Sequence, residues 1–175
     1  MPILMQRPGR DALFLHRTQC LGVDTKHCMK VIVIAGGGRE SGKTTLATAL
    51  CELLPHSRSA KLGHHGAKEG KCTLLFPLDT PYREVVRNVK GCSFLIIESG
   101  AILDDPDLRA DLVIFLPSRG NRGDKSGSEH RRAKADLVRG EPLAAGQVER
   151  LRRALGVGDE VFDALLKATG VSVEA

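Results

Sequence analysis

A β-branched run, Val31-Ile32-Val33-Ile34-Ala35, passes through Gly36 into Gly37-Gly38-Arg39-Glu40-Ser41-Gly42-Lys43-Thr44. Beyond it, Leu46, Ala47, Leu50 and Leu54 recur at helical spacing until Pro55. This succession constrains the fold more than anything else in the chain. A short, continuous apolar run bounded by glycine reads as a strand buried on both faces. Residues 44–54 read as an amphipathic helix stopped by proline. Between them, Gly37, Gly42, Lys43 and Thr44 meet the spacing G-x-x-x-x-G-K-[ST], a Walker A phosphate loop in the strand–turn–helix context that its mechanism requires. Glycines let the backbone curl so that N–H groups converge on phosphate oxygens, and the helix N-terminus adds partial positive charge. Lys43 supplies a mobile cation to the β- and γ-phosphates, and the Thr44 hydroxyl a ligand for Mg²⁺.

Downstream, short apolar runs alternate with helical stretches, the pattern of βαβ units around a mainly parallel sheet. Strands are expected at residues 31–35, 59–62, 72–76, 93–97 and 112–116, and helices at 44–54, 81–88, 144–155 and 160–168. The fold class expected is α/β, a three-layer P-loop NTPase with a mainly parallel sheet. Residues 1–28 lack periodicity, so we expect a disordered N-terminal extension there. The nucleotide-binding domain is expected to open at Met29 and to run from 29 to 175 with a helical C-terminal part. Two readings of residues 1–28 stay open: translation from upstream of a natural start at Met29, or a genuine N-terminal arm.

Composition narrows the partners. Aromatic residues make up 3% of the chain, with no Trp, a poor complement for stacking unpaired bases, so nucleic acid is not an expected partner. The net charge of +5 is uneven: Arg119, Arg122, Lys125, Arg131 and Arg132 crowd one segment, which suits a phosphorylated ligand or a solvated loop. The five cysteines include no C-x-x-C pair, which argues against a disulfide framework and a tetrathiolate zinc site. Cys51, Cys72 and Cys92 read as buried thiols. No apolar stretch approaches the roughly 18 residues needed to cross a bilayer, and the N-terminus has no signal-peptide run, so a cytoplasmic protein is expected.

The candidate nucleotide-binding residues are Gly37, Gly38, Arg39, Glu40, Ser41, Gly42, Lys43, Thr44 and Thr45. Glu98 closes the apolar run Phe94-Leu95-Ile96-Ile97 and is expected to face the phosphate loop, there to hold a Mg²⁺ water or orient an attacking water. Catalytic roles therefore fall to Glu98 and Lys43, and metal binding to Thr44 and Glu98. Asp79 competes for the Mg²⁺ role. In Lys61-Leu62-Gly63-His64-His65-Gly66, Lys61 and His64 sit at the carboxyl end of a strand, the ligand side of a parallel sheet. Asn121-Arg122-Gly123-Asp124 echoes the element that reads guanine in GTP-binding proteins, with Asn121 and Asp124 in the base-reading positions.

Taken in order, Gly37–Thr44, the segment from Lys61 to Gly66, and Glu98-Ser99-Gly100 resemble the landmarks of the molybdopterin-guanine dinucleotide biosynthesis proteins of the MobB type. The resemblance spans roughly residues 29–116. It implies a GTP-binding accessory protein with slow hydrolysis that assists the nucleotidyltransferase attaching GMP to the molybdenum cofactor. It implies Mg²⁺ as metal and a homodimer, with Lys43 and Thr44 on phosphate and metal and Glu98 at the metal or the attacking water. Two other readings stay open. One is an ATP-dependent small-molecule kinase or a ligase of the dethiobiotin-synthetase kind; the other is a non-catalytic, nucleotide-dependent interaction protein.

Overall fold

The computed structural model describes residues 29–38, 40–63, 73–118 and 127–174. Its centre is a six-stranded sheet in which every paired strand is parallel to its neighbour. In chain order the strands are β1 (Lys30–Gly36), β2 (Ser57–Leu62), β3 (Thr73–Phe76), β4 (Phe94–Glu98), β5 (Leu112–Leu116) and β6 (Leu137–Val138). Their order across the sheet is β3-β2-β4-β1-β5-β6. The two most apolar runs, β4 and β5, flank β1, and all five residues of each are buried. These are the central strands the sequence predicts from uninterrupted apolar runs.

Side-chain parity along β1 and β4 assigns the two faces. Ile32, Ile34, Phe94 and Ile96 point to one side and meet α1 (Lys43–Leu53), α4 (Ala145–Leu155) and α5 (Asp159–Thr169) through Leu46, Leu50, Leu151, Leu155 and Phe162. Val31, Val33, Leu95 and Ile97 point to the other and meet α2 (Tyr82–Asn88) and the 3₁₀ turn Ala101–Asp104 through Val85, Ile102 and Leu103. Helices thus cover both faces, and the architecture has three layers. Leu112–Leu116 matches the expected strand, and the other expected boundaries differ by one or two residues. Pro81, expected within the helix, stands one residue ahead of α2.

Five elements among the described residues were not anticipated: the 3₁₀ turn Ala101–Asp104, α3 (Ser128–Ala133), the two-residue strand β6, and a small parallel pair, β7 (Pro142–Leu143) with β8 (Ser172–Val173). The pair ties the end of the chain to the segment ahead of α4. Cys51 and Cys92 are half-buried rather than buried; burial pushes the Cys92 thiol up, so it stays protonated. Cys72 and the proposed extension 1–28 lie outside the described residues. Among the described residues no helix is long and apolar enough to cross a membrane.

Candidate functional site

Strand order decides which side chains meet. The chain leaves β1 at the middle of the sheet, turns through residues 37–42, and enters α1. Because α1 packs on the face carrying Ile34 and Ile96, its first turn lies over the carboxyl ends of the strands beside β1. Glu98 continues the Ile96 face, and its Cα partners are Ile34 on β1 and Lys61 on β2. Paired residues of parallel strands share a face. The sheet therefore delivers Lys61 and Glu98 side by side under the start of α1.

There the groups close on one another. The Thr44 Oγ1 lies 2.9 Å from both carboxylate oxygens of Glu98. Having one proton, it donates to one of them at a time. The Lys61 ammonium donates to Thr44 Oγ1 at 3.0 Å and pairs with Glu98 Oε1 at 3.1 Å. Glu98 is only 7% exposed, so it is not a strand-end acid facing solvent. Asp79 lies past the end of the edge strand β3, exposed, and makes no hydrogen bond or ion pair with the described residues. Glu98 is accordingly the acid at this site.

The turn itself is shaped by backbone hand. Glu40 (φ 63°) and Gly42 (φ 89°) are left-handed, and Ser41 between them is not. Alternation of this kind turns successive N–H groups toward a common point and makes an anion-binding concavity. Gly42 suits its position because it has no Cβ. Glu40 does not, and a left-handed non-glycine residue costs roughly 1–2 kcal/mol, a strain that tends to persist at functional sites. Lys43 reaches back over the turn, donating to the Gly38 carbonyl at 2.8 Å and to Ser41 Oγ at 3.0 Å. Gly36 makes room for this: a Cβ there would stand 2.6 Å from Ser41 Oγ and 3.2 Å from Lys43 Cδ. Thr45, next on α1, is exposed, and a concave surface runs from Thr44 and Thr45 along Thr48, Ala49 and Glu52.

Three residues near the site, Ser128, Arg131 and Arg139, make contacts that the sequence does not foretell. The buried Ser128 hydroxyl, at the start of α3, donates to the Gly37 carbonyl at 3.4 Å. Arg139 donates to the Ser41 carbonyl at 3.1 Å and to the Thr169 carbonyl at 3.0 Å. Arg131 lies across Gly100, where a Cβ would come within 2.9 Å of its Cδ. Ser128 and Arg131 fall in the basic segment that composition singled out, but no periodicity placed them. Arg39, His64, Asn121 and Asp124 lie outside the described residues.

A divalent cation fits here only with help. Hard cations take oxygen ligands, and Mg²⁺ keeps near-octahedral coordination. The described residues offer the Thr44 hydroxyl and the Glu98 carboxylate, and no group of three or more His, Cys, Asp or Glu side chains that could hold a metal. The remaining ligands would come from water and from a bound polyphosphate. Ser99, next to Glu98 in the chain, is buried with its hydroxyl unpartnered among the described residues.

These features define a class: a parallel α/β protein whose glycine-rich β1–α1 turn sets a Lys-Thr pair against a strand-end glutamate. No model of a known protein family matches the chain, and no curated protein matches it significantly.

Proposed function

We propose that the protein is a P-loop NTPase that binds a nucleoside triphosphate with Mg²⁺ through residues 37–45 and hydrolyses its terminal phosphate slowly. The observation that carries this reading is the contact of Thr44 Oγ1 with Glu98 at 2.9 Å, one residue beyond Lys43 at the N-terminus of α1. A hydroxyl, a buried carboxylate and an ammonium converge where α1 directs unpaired N–H groups outward.

Each group has a role in that chemistry. Backbone N–H groups of the turn and Lys43 hold the phosphate chain, with Lys43 exchanging the Gly38 carbonyl for phosphate oxygens. Thr44 and Glu98 would hold Mg²⁺, which when bound neutralises charge on the β- and γ-oxygens. Glu98 accepts a hydrogen bond from the attacking water and orients it. Hydrolysis joins that water oxygen to the γ-phosphorus and breaks the bond from this phosphorus to the β–γ bridging oxygen, releasing nucleoside diphosphate and phosphate, with the water's proton passing to the phosphate or to solvent. That turnover is slow is what the likeness to MobB-type proteins implies.

The resemblance of Gly37–Thr44, the segment from Lys61 to Gly66, and Glu98-Ser99-Gly100 to MobB-type proteins supports guanine as the base. It also supports a role beside a nucleotidyltransferase in molybdopterin guanine dinucleotide assembly, as a homodimer. Isothermal titration with GTP, ATP and GDP in the presence of Mg²⁺ tests the proposal. We expect tight GTP binding. Removing the Lys43 ammonium in Lys43→Ala deletes charge-assisted hydrogen bonds worth roughly 1.5–3 kcal/mol, a weakening of about 10–150-fold with the fold intact. Absence of affinity for any purine triphosphate sinks the proposal; binding of ATP without GTP transfers it to the kinase or ligase reading.

A further inference from the structure

The Lys61 ammonium already engages both protein groups that a metal would need. It donates to Thr44 Oγ1 at 3.0 Å and pairs with Glu98 Oε1 at 3.1 Å, and the Thr44 hydroxyl points its proton at the same carboxylate. Glu98 is buried, so its charge needs a cation close by, and Lys61 is the one that reaches it among the described residues. The register pairing of Lys61 with Glu98 puts the two groups together through the sheet itself.

We infer that Lys61 is the resident cation of the metal site: it fills the place between Thr44 and Glu98 in the nucleotide-free protein and yields it only to a metal arriving as the metal–triphosphate complex. The inference rests on the nucleotide-binding reading above. Its physical basis is competition. A bare Mg²⁺ would have to shed water, which it does reluctantly, and displace an ammonium from only two protein ligands while being repelled by it. The chelate brings its own phosphate oxygens and remains anionic, so the displaced ammonium has a partner to move to. Lysine suits the task, being a compact charge on a flexible stem. Lys61 also sits one residue before the end of β2, and a Cβ added at Gly63 beyond it would meet nothing within 4 Å among the described residues. Metal and nucleotide must then raise each other's affinity by the same factor.

The test uses Mn²⁺ as a spectroscopically visible substitute, titrated by electron paramagnetic resonance into nucleotide-free protein. Wild type, Lys61→Met and Lys61→Gln are compared, each checked for folding by circular dichroism. We expect the two variants to bind Mn²⁺ at least roughly tenfold more tightly than wild type, the scale of removing one nearby like charge. We expect Glu98→Gln, added to Lys61→Met, to abolish the gain. Equal Mn²⁺ affinity in wild type and variants overturns the inference, as does a gain that survives Glu98→Gln. Wild type gives an independent reading should the variants not fold: the Lys61 Nζ signal in ¹⁵N-detected NMR moves on adding Mg·GTP and stays put with Mg²⁺ alone. Movement with Mg²⁺ alone also overturns it. Because the Mn²⁺ titration contains no nucleotide, its failure is distinct from a wild-type protein that binds no triphosphate.

Discussion

Adding one methyl group at Gly36 probes the turn without touching any charged group. In Gly36→Ala the new Cβ stands 2.6 Å from Ser41 Oγ, 3.1 Å from the Leu116 carbonyl oxygen and 3.2 Å from Lys43 Cδ. None of the three can retreat freely. Ser41 has no exposed surface, and its hydroxyl is bonded to the Gly38 carbonyl and to Lys43. The Leu116 carbonyl accepts the Gly37 N–H at 3.0 Å beside the β1–β5 ladder. Lys43 carries the ammonium that the proposed phosphate contact needs. Gly36 does not have a positive φ, so the backbone tolerates alanine and the cost is steric. Overpacking of this kind costs about 1–3 kcal/mol. If the folded turn bears it, the melting temperature falls by about 2–12 °C, taking 2–4 °C per kcal/mol for a chain of this length. If instead the turn opens to admit the methyl, the cost moves to ligand binding and weakens it by about 5–150-fold. Thermal melts followed by circular dichroism, paired with titration of Mg·GTP, read both. Gly158→Ala, whose Cβ would meet nothing within 4 Å among the described residues and which lies outside the turn, is the control. A Gly36→Ala protein that melts and binds like wild type refutes the packing account of the turn.

Other outcomes follow from neighbouring contacts. Glu98→Gln keeps the shape beside Thr44 but removes the charge, and should slow hydrolysis by roughly a hundredfold or more while affinity for triphosphate changes far less. Equal losses in single-turnover hydrolysis and in titration would deny Glu98 a role in the chemical step. Asp104 is held below its ordinary 3.8 by the hydrogen bond from Lys134 at 2.8 Å, with His130 adding to it at 3.2 Å. A depressed carboxylate contributes stability above 3.8 that is lost as pH falls through its lowered value, and in so exposed a group the contribution is below about 1 kcal/mol. A carboxyl-carbon NMR titration of Lys134→Met should find Asp104 titrating nearer 3.8, and an unchanged titration would deny the pairing.

The legible parts of the chain were those where one element decides its own state. The strands at 31–35 and 112–116 are uninterrupted apolar runs, and the helices near the C-terminus show an apolar stripe, so their period survives in sequence. Two-residue strands are too short to have a period: Leu137–Val138 forms along the edge of β5, and Pro142–Leu143 forms by pairing with Ser172–Val173. The segment Ser128–Ala133 buries only Ser128, so no stripe marks it as helix. The same boundary runs through the site. Lys43 and Thr44 were readable because spacing and context lie on consecutive residues. The meeting of Lys61 with Glu98 depends on β4 inserting between β1 and β2, a fact about strand order that neither residue's neighbours encode. Arg139 was missed for a related reason, since its acceptors lie on Ser41 and Thr169, far from it in the chain.

Arg139 makes the last helix part of the turn's support. One guanidinium spans from the carbonyl of Ser41, inside the turn, to that of Thr169, where α5 ends, and Gly140 N–H bonds the Gly170 carbonyl alongside it. A chain cut before Thr169 would keep every residue of the β1–α1 turn yet lose the strut bracing its outer side, together with the β7–β8 clasp. The tail of the protein thereby sets how stiffly its front end is held. A minimal fragment carrying the glycine-rich turn would be a looser vessel than the intact chain.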